Sequence, residues 1–229
     1  GDITSIDDSE DSGGKQKTGK LNEQLFARLL DTCRGIETID LSDCKLSPEN
    51  YRMLRYFLMR KDCELQSLLF GGQGMYTKDV MRLARGLQSN ASLTELSLCE
   101  TSISPDNLKR IIDAVILNPR ITSLWMENVD ACFEVLPALG KLVAAGHCVH
   151  LSVSHPEGVR MIGRDVKHWN GLFKGFCAQL LANNSLRLLD LSGFDLTKSN
   201  SRDIVHTLKC NAHIEWLVLG KNTPTKEQA

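Results

Sequence analysis

Apolar residues recur in one fixed order along most of the chain. The order reads L-x-x-L-x-L-x-x-[N/C/T]-x-[L/I] and can be aligned seven times. The copies begin at Ile36, Leu65, Leu93, Ile121, Cys148, Leu186 and Ile214. Successive copies are therefore 29, 28, 28, 27, 38 and 28 residues apart. Alternating apolar positions are typical of strands, so we predict parallel strands that start near residues 36, 65, 93, 121, 149, 186 and 214.

Between the copies the hydrophobic period changes from two to about 3.6, which indicates amphipathic helices. One such stripe comprises Leu108, Ile111, Ile112, Val115 and Ile116. The pairs Ser47-Pro48 and Ser104-Pro105 predict helix starts, because serine caps a helix and proline fits its first position. We expect four asparagines, each three residues before a repeat, to end helices in left-handed geometry: Asn90, Asn118, Asn183 and Asn211.

The chain divides into a tail and one repeat domain. Residues 1–19 are polar, with an acidic block followed by glycines and lysines, which predicts a disordered tail. Residues 20–229 are predicted to form a single domain of about seven repeats. At its start, residues 21–34 predict a helix with Leu21, Leu25 and Leu29 on one face, as the N-terminal cover of the array.

On these motifs the chain resembles the leucine-rich repeat family, and within it the ribonuclease-inhibitor-like subclass, over about residues 36–224. The resemblance implies an α/β solenoid shaped like a horseshoe, with parallel strands on the concave face and helices on the convex face. The chain departs from the family at the ninth template position, where only Cys44 and Asn222 are the usual residues. The other copies carry Gln73, Thr101, Val129, Pro156 and Phe194 there.

Composition narrows the class of protein. Leucine supplies 34 of 229 residues, and the formal net charge of -1 argues against bulk attraction to nucleic acid or anionic membrane. No apolar run is long enough to span a bilayer, and the first residues lack the order of a signal peptide. The 8 cysteines are scattered and never form C-x-x-C, which predicts reduced thiols in the cytoplasm, or in a host cytosol for a secreted effector. Cys44, Cys148 and Cys177 fall at template or helix positions that point inward, so we expect them to be packed in the core.

Motifs for enzyme chemistry are weak. The stretch Gly14–Leu21 fits G-x-x-x-x-G-K, but Leu21 stands where a phosphate loop needs Ser or Thr. The histidines and cysteine at 147, 148, 150 and 155 invite a metal site, yet Cys148 is predicted to face the core and His150 the surface. We therefore expect no metal, no cofactor and no enzymatic activity.

The period-two rule instead predicts a protein-binding surface. The third, fifth and seventh template positions face the concave side, and with the adjacent rim they carry six acids and no Lys or Arg. We predict that this face binds a partner protein with a basic patch, and that Trp125 lies at the centre of the contact. We also expect the chain to be monomeric on its own. The other predicted contact residues are Asp40, Asp43, Leu69, Glu95, Glu100, Glu127, His150, Asp190 and Trp216. The simpler interpretation is a solvated face whose charges keep the domain soluble.

The 38-residue spacing after the fifth copy indicates an insertion near residues 156–164. Insertions in solenoids lie in loops and often serve recognition, so Arg160 and Arg164 join the predicted contact residues, although a neutral insertion is the alternative. The resemblance also leaves open a GTPase-activating protein, for which Asn128 is the only rim candidate, and a bacterial effector or an inhibitor that binds an enzyme.

Overall fold

Seven parallel strands form the inner layer of the molecule. The computed structural model describes residues 20–32, 35–129, 134–154, 166–194 and 196–220. In the described chain the large sheet contains β1 (Thr38–Asp40), β2 (Ser67–Leu69), β4 (Glu95–Ser97), β6 (Ser123–Trp125), β7 (His150–Ser152), β8 (Leu188–Asp190) and β9 (Trp216–Val218). Each strand pairs with the next in chain order and begins within two residues of its predicted start. The prediction of seven parallel strands is confirmed.

Helices connect the strands and form the outer layer. Their bounds are α1 (Glu23–Thr32), α2 (Pro48–Leu58), α3 (Thr77–Ser89), α4 (Pro105–Leu117), α5 (Leu136–Ala145), α6 (Val166–Ala182) and α7 (Lys198–Cys210). Neighbouring helices pack against each other in chain order, as the strands do. The chain is therefore an α/β leucine-rich-repeat solenoid, with the sheet on the concave face and the helices on the convex face.

The core lies between the two layers and is built from the template positions. The middle residue of each inner strand points into it, and Leu68, Leu96 and Leu124 are fully buried. Leu98 and Leu191, two residues beyond the middle of their strands, are also fully buried, as the template predicts. A single hydrophobic cluster thus runs through the repeats, because no repeat can bury its apolar face alone.

Helix starts agree with the sequence. The Ser47 hydroxyl accepts from the backbone N–H of Asn50, whose side chain in turn accepts from the Ser47 N–H. Ser104 caps α4 in the same way. Thr197, which the sequence analysis did not single out, caps α7 through the N–H of Asn200.

The four asparagines before the repeats have a different role from the predicted one. Asn90, Asn118 and Asn211 have negative φ values of -74°, -116° and -98°, so the expected left-handed geometry is wrong for them. Their buried side chains bridge repeats instead. Asn118 Nδ2, for example, donates to the carbonyls of Leu87 at 2.7 Å and Asn90 at 2.9 Å. Such bonds satisfy buried carbonyls where the helices end.

The first helix buries another face than predicted. Leu25 is 55% exposed and Leu29 42% exposed, whereas Phe26 and Leu30 are buried. The helix does cover α2, as expected of an N-terminal cover, but it is rotated so that the Phe26 stripe meets the core. The expectation for Leu25 and Leu29 is wrong, because both apolar stripes fit a helical period and only packing chooses between them.

Two further strands were not predicted. Strands β3 (Gly74–Met75) and β5 (Ser102–Ile103) pair in parallel just after β2 and β4. Nearby, the residues at the ninth template position differ from the usual Asn or Cys, and each makes different contacts. Gln73 Nε2 donates to Leu41 O at 3.3 Å, Thr101 Oγ1 donates to Leu98 O at 2.7 Å, and Val129 and Phe194 are fully buried in apolar contacts.

Six cysteines within the described residues are free thiols. Cys148 and Cys177 are buried as predicted, and burial raises the pKa of each thiol to about 12. Cys44 is half-buried rather than packed in the core. Within the described ranges no helix is long and apolar enough to cross a lipid bilayer.

Candidate functional site

The register of the sheet orders the concave face into rows that run across the strands. The first row contains Thr38, Ser67, Glu95, Ser123, His150, Leu188 and Trp216. The second contains Asp40, Leu69, Ser97, Trp125, Ser152, Asp190 and Val218. Neighbouring strands lie about 4.8 Å apart, so the side chains of a row stand close together. The second row is not exposed throughout, because Ser97 and Ser152, on either side of Trp125, are buried.

Trp125 lies in the fourth of the seven inner strands and is half-buried. Its ring packs against the imidazole of His150, with centroids 6.1 Å apart and planes inclined by 33°. His150 Nδ1 is hydrogen-bonded to Ser123 Oγ at 3.0 Å, which fixes the imidazole. The indole Nε1 is buried and has no acceptor in the described part of the chain. The fold thus holds the ring in place and leaves its donor unsatisfied.

The acids of the concave face are placed as the template predicts, but three of them also have local roles. Asp40 Oδ1 accepts from the Ser42 N–H and Asp190 Oδ1 from the Ser192 N–H, both at 2.8 Å. Glu95 Oε2 accepts from Ser67 Oγ at 3.2 Å. Such bonds orient the carboxylates without neutralising them.

The rim acids occupy strained turns. Asp43 and Glu100 both have φ of 58°, and Asn128 has φ of 57°, in the left-handed region that L residues rarely adopt. Gly72 and Gly193 take the equivalent place in other repeats, with φ of 66° and 73°. Such turns recur at one edge of the concave face, and the Asp43 carboxylate there lies beside Gly72 of the next repeat.

The charge of this face is uncompensated. Across the described ranges, none of the six acids (Asp40, Asp43, Glu95, Glu100, Glu127 and Asp190) forms an ion pair with Lys or Arg. The negative potential is felt by neighbouring thiols. Burial raises the pKa of the Cys44 thiol, and the charges of Asp40 and Asp43 raise it further.

An apolar area at the far end of the face was not recognised as a unit from the sequence. Leu188 and Val218 lie beside Trp216, which is 66% exposed. Leu69 is the corresponding apolar residue near the other end, and it is half-buried. The signal was present in the template, because all four residues occupy its third or fifth position.

Two predicted contact residues, Arg160 and Arg164, lie outside the described residues, as does His155 of the metal hypothesis. The other members of that cluster do not converge. His147 Nε2 lies 3.1 Å from Val115 O, Cys148 is buried, and His150 contacts Trp125. No group of three or more His, Cys, Asp or Glu that could hold a metal ion occurs among the residues that the structure describes.

Parallel strands inside, helices outside and asparagines that bridge the repeats give the chain the fold of a leucine-rich-repeat solenoid. Comparisons by sequence agree at low identity. The chain is 24% identical over 195 residues to NACHT, LRR and PYD domains-containing protein 5 of Bos taurus, covering 82% of this chain and 17% of that protein. It is 24% identical over 207 residues to the Mus musculus protein of the same name, covering 86% of this chain and 16% of that protein.

The chain therefore spans about a sixth of the length of the relatives it matches. No protein-family model matches it. Among solved structures, it is similar to a Caenorhabditis elegans tropomodulin C-terminal domain, with a TM-score of 0.46 and 12% identity, over 83% of this chain and 93% of that one.

Proposed function

We propose that this chain is a non-enzymatic protein-interaction module of the ribonuclease-inhibitor-like subclass, in one leucine-rich-repeat domain over residues 20–229. It binds a protein with a basic patch through the concave face and acts in the cytoplasm. The observation that carries the proposal is the position of Trp125. A large aromatic ring stands half-buried at the centre of a face whose acids have no cationic partner within the described chain.

The physical argument rests on what each group does in an interface. An aromatic ring held by His150 loses little conformational entropy on binding and offers a large apolar area. The carboxylates around it attract a basic partner before contact. Pairing them with cations has a small desolvation cost if the new bonds form at the rim, where water remains. A face that served solubility alone would not need a tryptophan at its centre.

Affinity capture with two matched variants tests the proposal. Trp125→Ala removes the central ring, and Tyr76→Ala removes an aromatic ring that is 75% exposed outside the inner strands. Proteins captured by the wild type and by Tyr76→Ala, but lost with Trp125→Ala, are the expected partners. Identical capture by all three proteins would refute the concave face as the binding surface.

A further inference from the structure

A groove runs along the convex surface between α5 and α6, on the opposite side from the proposed concave site. Its volume is about 340 Å³. Pro137, Gly140 and Ala144 line it on α5, and Gly171, Gly175 and Phe176 line it on α6. From Gly171 to Gln179, the lining of α6 spans nine residues, and their eight helical rises correspond to about 12 Å. The groove is therefore long enough for about two turns of another helix.

The packing of the solenoid does not explain two glycines of this groove, Gly171 and Gly175. A Cβ at Gly140 would lie 3.4 Å from Gln179 Cγ, and one at Gly86 would lie 3.0 Å from Leu58 Cδ1, so both of these glycines allow neighbouring helices to pack. A Cβ at Gly171 or Gly175 would meet nothing within 4 Å. Glycine weakens a helix interior, yet here two stand one turn apart beside an apolar groove. They leave the backbone open to close approach from outside.

The two helices that form the groove contain basic residues and no acidic ones. Neither α5 nor α6 contains Asp or Glu, whereas Lys141 lines the groove and Lys174 is exposed on α6. The flanking helices carry Asp106, which pairs with Lys109, and also Asp113 and Asp203. Within the described residues none of these acids forms an ion pair with Lys141 or Lys174. Helices α2 and α3 differ, because there Arg52 pairs with Glu49 and Arg82 with Asp79. The groove thus has an apolar floor and uncompensated positive charge.

We infer that this groove docks an acidic amphipathic helix of a partner protein. Apolar side chains spaced three or four residues apart enter the groove over Gly171 and Gly175, where the missing side chains let the two backbones approach. Glutamates or aspartates on the flanks of the docked helix meet Lys141 and Lys174. A small molecule fits less well, because only Lys141 and Gln179 bring polar side chains to the lining.

Two synthetic helices of about 18 residues test the inference, since shorter peptides are marginal as helices in water. Both carry the same leucine and alanine face, one with glutamate and the other with lysine on the polar face. Fluorescence anisotropy should show binding of the acidic peptide that weakens with salt. Gly175→Leu should weaken it by about tenfold or more, and Lys141→Glu with Lys174→Glu by a similar factor.

Matched variants separate docking from folding. Gln88→Leu adds a leucine to an exposed position of α3, outside the groove lining and its flanks, and should leave binding unchanged. Gly175→Leu should keep or raise the melting temperature, since it replaces an unfavourable helix residue. Trp125→Ala should not change binding of the acidic peptide to the groove. Failure of the proposed concave site therefore does not decide whether the groove binds a helix. Equal binding of both peptides, no binding of the acidic one, or a groove-dependent dimer of the chain alone would overturn the inference.

Discussion

The side-chain amide of Asn211 donates to the main-chain carbonyl of Asn183, one repeat earlier, at 2.9 Å. Asn118 and Asn90 are related in the same way and at the same distance. These buried asparagines therefore link consecutive repeats through hydrogen bonds that are shielded from solvent. Their geometry leads to the first prediction, which concerns two asparagines that are adjacent in sequence.

Replacing Asn183 with Ala should destabilise the fold, while replacing Asn184 should not. Asn183 is buried, donates to Val143 O at 2.7 Å and accepts from the Leu186 N–H at 2.8 Å, whereas Asn184 is exposed. Losing the buried amide leaves these groups unpaired, which costs about 1–3 kcal/mol for each. Urea unfolding measures the difference. Equal stability of the two variants would contradict a structural role for Asn183.

Leu98→Ala should lower the free energy of unfolding by about 2–5 kcal/mol, because it removes buried apolar surface and leaves a cavity. Leu98 is completely buried, and Leu117, which is 67% exposed, provides the control. Leu117→Ala should change stability by less than about 0.5 kcal/mol. Chemical denaturation followed by circular dichroism would report both values, and a similar small effect for Leu98 would be inconsistent with its place in the core.

Trp125→Ala should lower the affinity for the captured partner by about 2 kcal/mol or more, which is about 30-fold, mainly through faster dissociation. The fold should survive, because the ring is half-buried and its contact with His150 contributes only about 1 kcal/mol. Surface plasmon resonance gives the rate constants, and thermal unfolding checks the fold. Unchanged dissociation would count against Trp125 as the anchor.

Glu95→Lys combined with Glu127→Lys should slow association with the same partner and flatten its dependence on salt. The two carboxylates have no ion-pair partner within the described residues, so they act on the approaching partner over a distance. Stopped-flow association at several salt concentrations tests this. Glu64→Lys with Asp113→Lys, which changes exposed acids outside the inner strands, is the control of equal charge.

The thiols of Cys148 and Cys177 should react with a thiol reagent much more slowly than that of exposed Cys210 in the native protein. Burial raises the pKa of both from 9.0 to about 12, so almost no thiolate is present near pH 8. The folded state holds the protons of these two thiols more tightly than the unfolded state does. The protonated thiols therefore contribute fully to the free energy of unfolding below pH 9, and the contribution falls as the pH rises towards 12. Timed labelling with mass spectrometry would distinguish the sites, and after denaturation all eight cysteines should react.

The repeat template predicts the strands and the buried leucines. Alternate residues of a strand point to opposite faces, so only one face of each strand can bury the apolar residues. The template is less informative where two orientations of an element have similar local energies. Helix α1 contains two apolar stripes, and contact with α2 selects Phe26 over Leu25. The role of Asn118 was missed for a related reason, since its bonds reach residues 28 and 31 positions away.

The candidate site shows the same division. The period-two rule places Trp125 and the acids on the concave face, and the structure brings them there. The contact between Trp125 and His150 depends on the register of two strands, which sequence spacing predicts, and on side-chain rotation, which it does not. The convex groove depends on whether neighbouring helices fill the space beside Gly171 and Gly175, and no local pattern contains that information.

Extensive contacts in the described chain join neighbouring repeats: α1 meets α2, α2 meets α3, and the inner strands follow the same order. Cooperativity in such a chain passes only from one repeat to the next, so the ends can fray while the centre stays folded. A partner that lies across the rows from Asp40 to Val218 would connect repeats that are not neighbours in the solenoid. Binding would then turn stepwise melting into a single transition, and the sharpness of unfolding would itself report that the concave face is occupied.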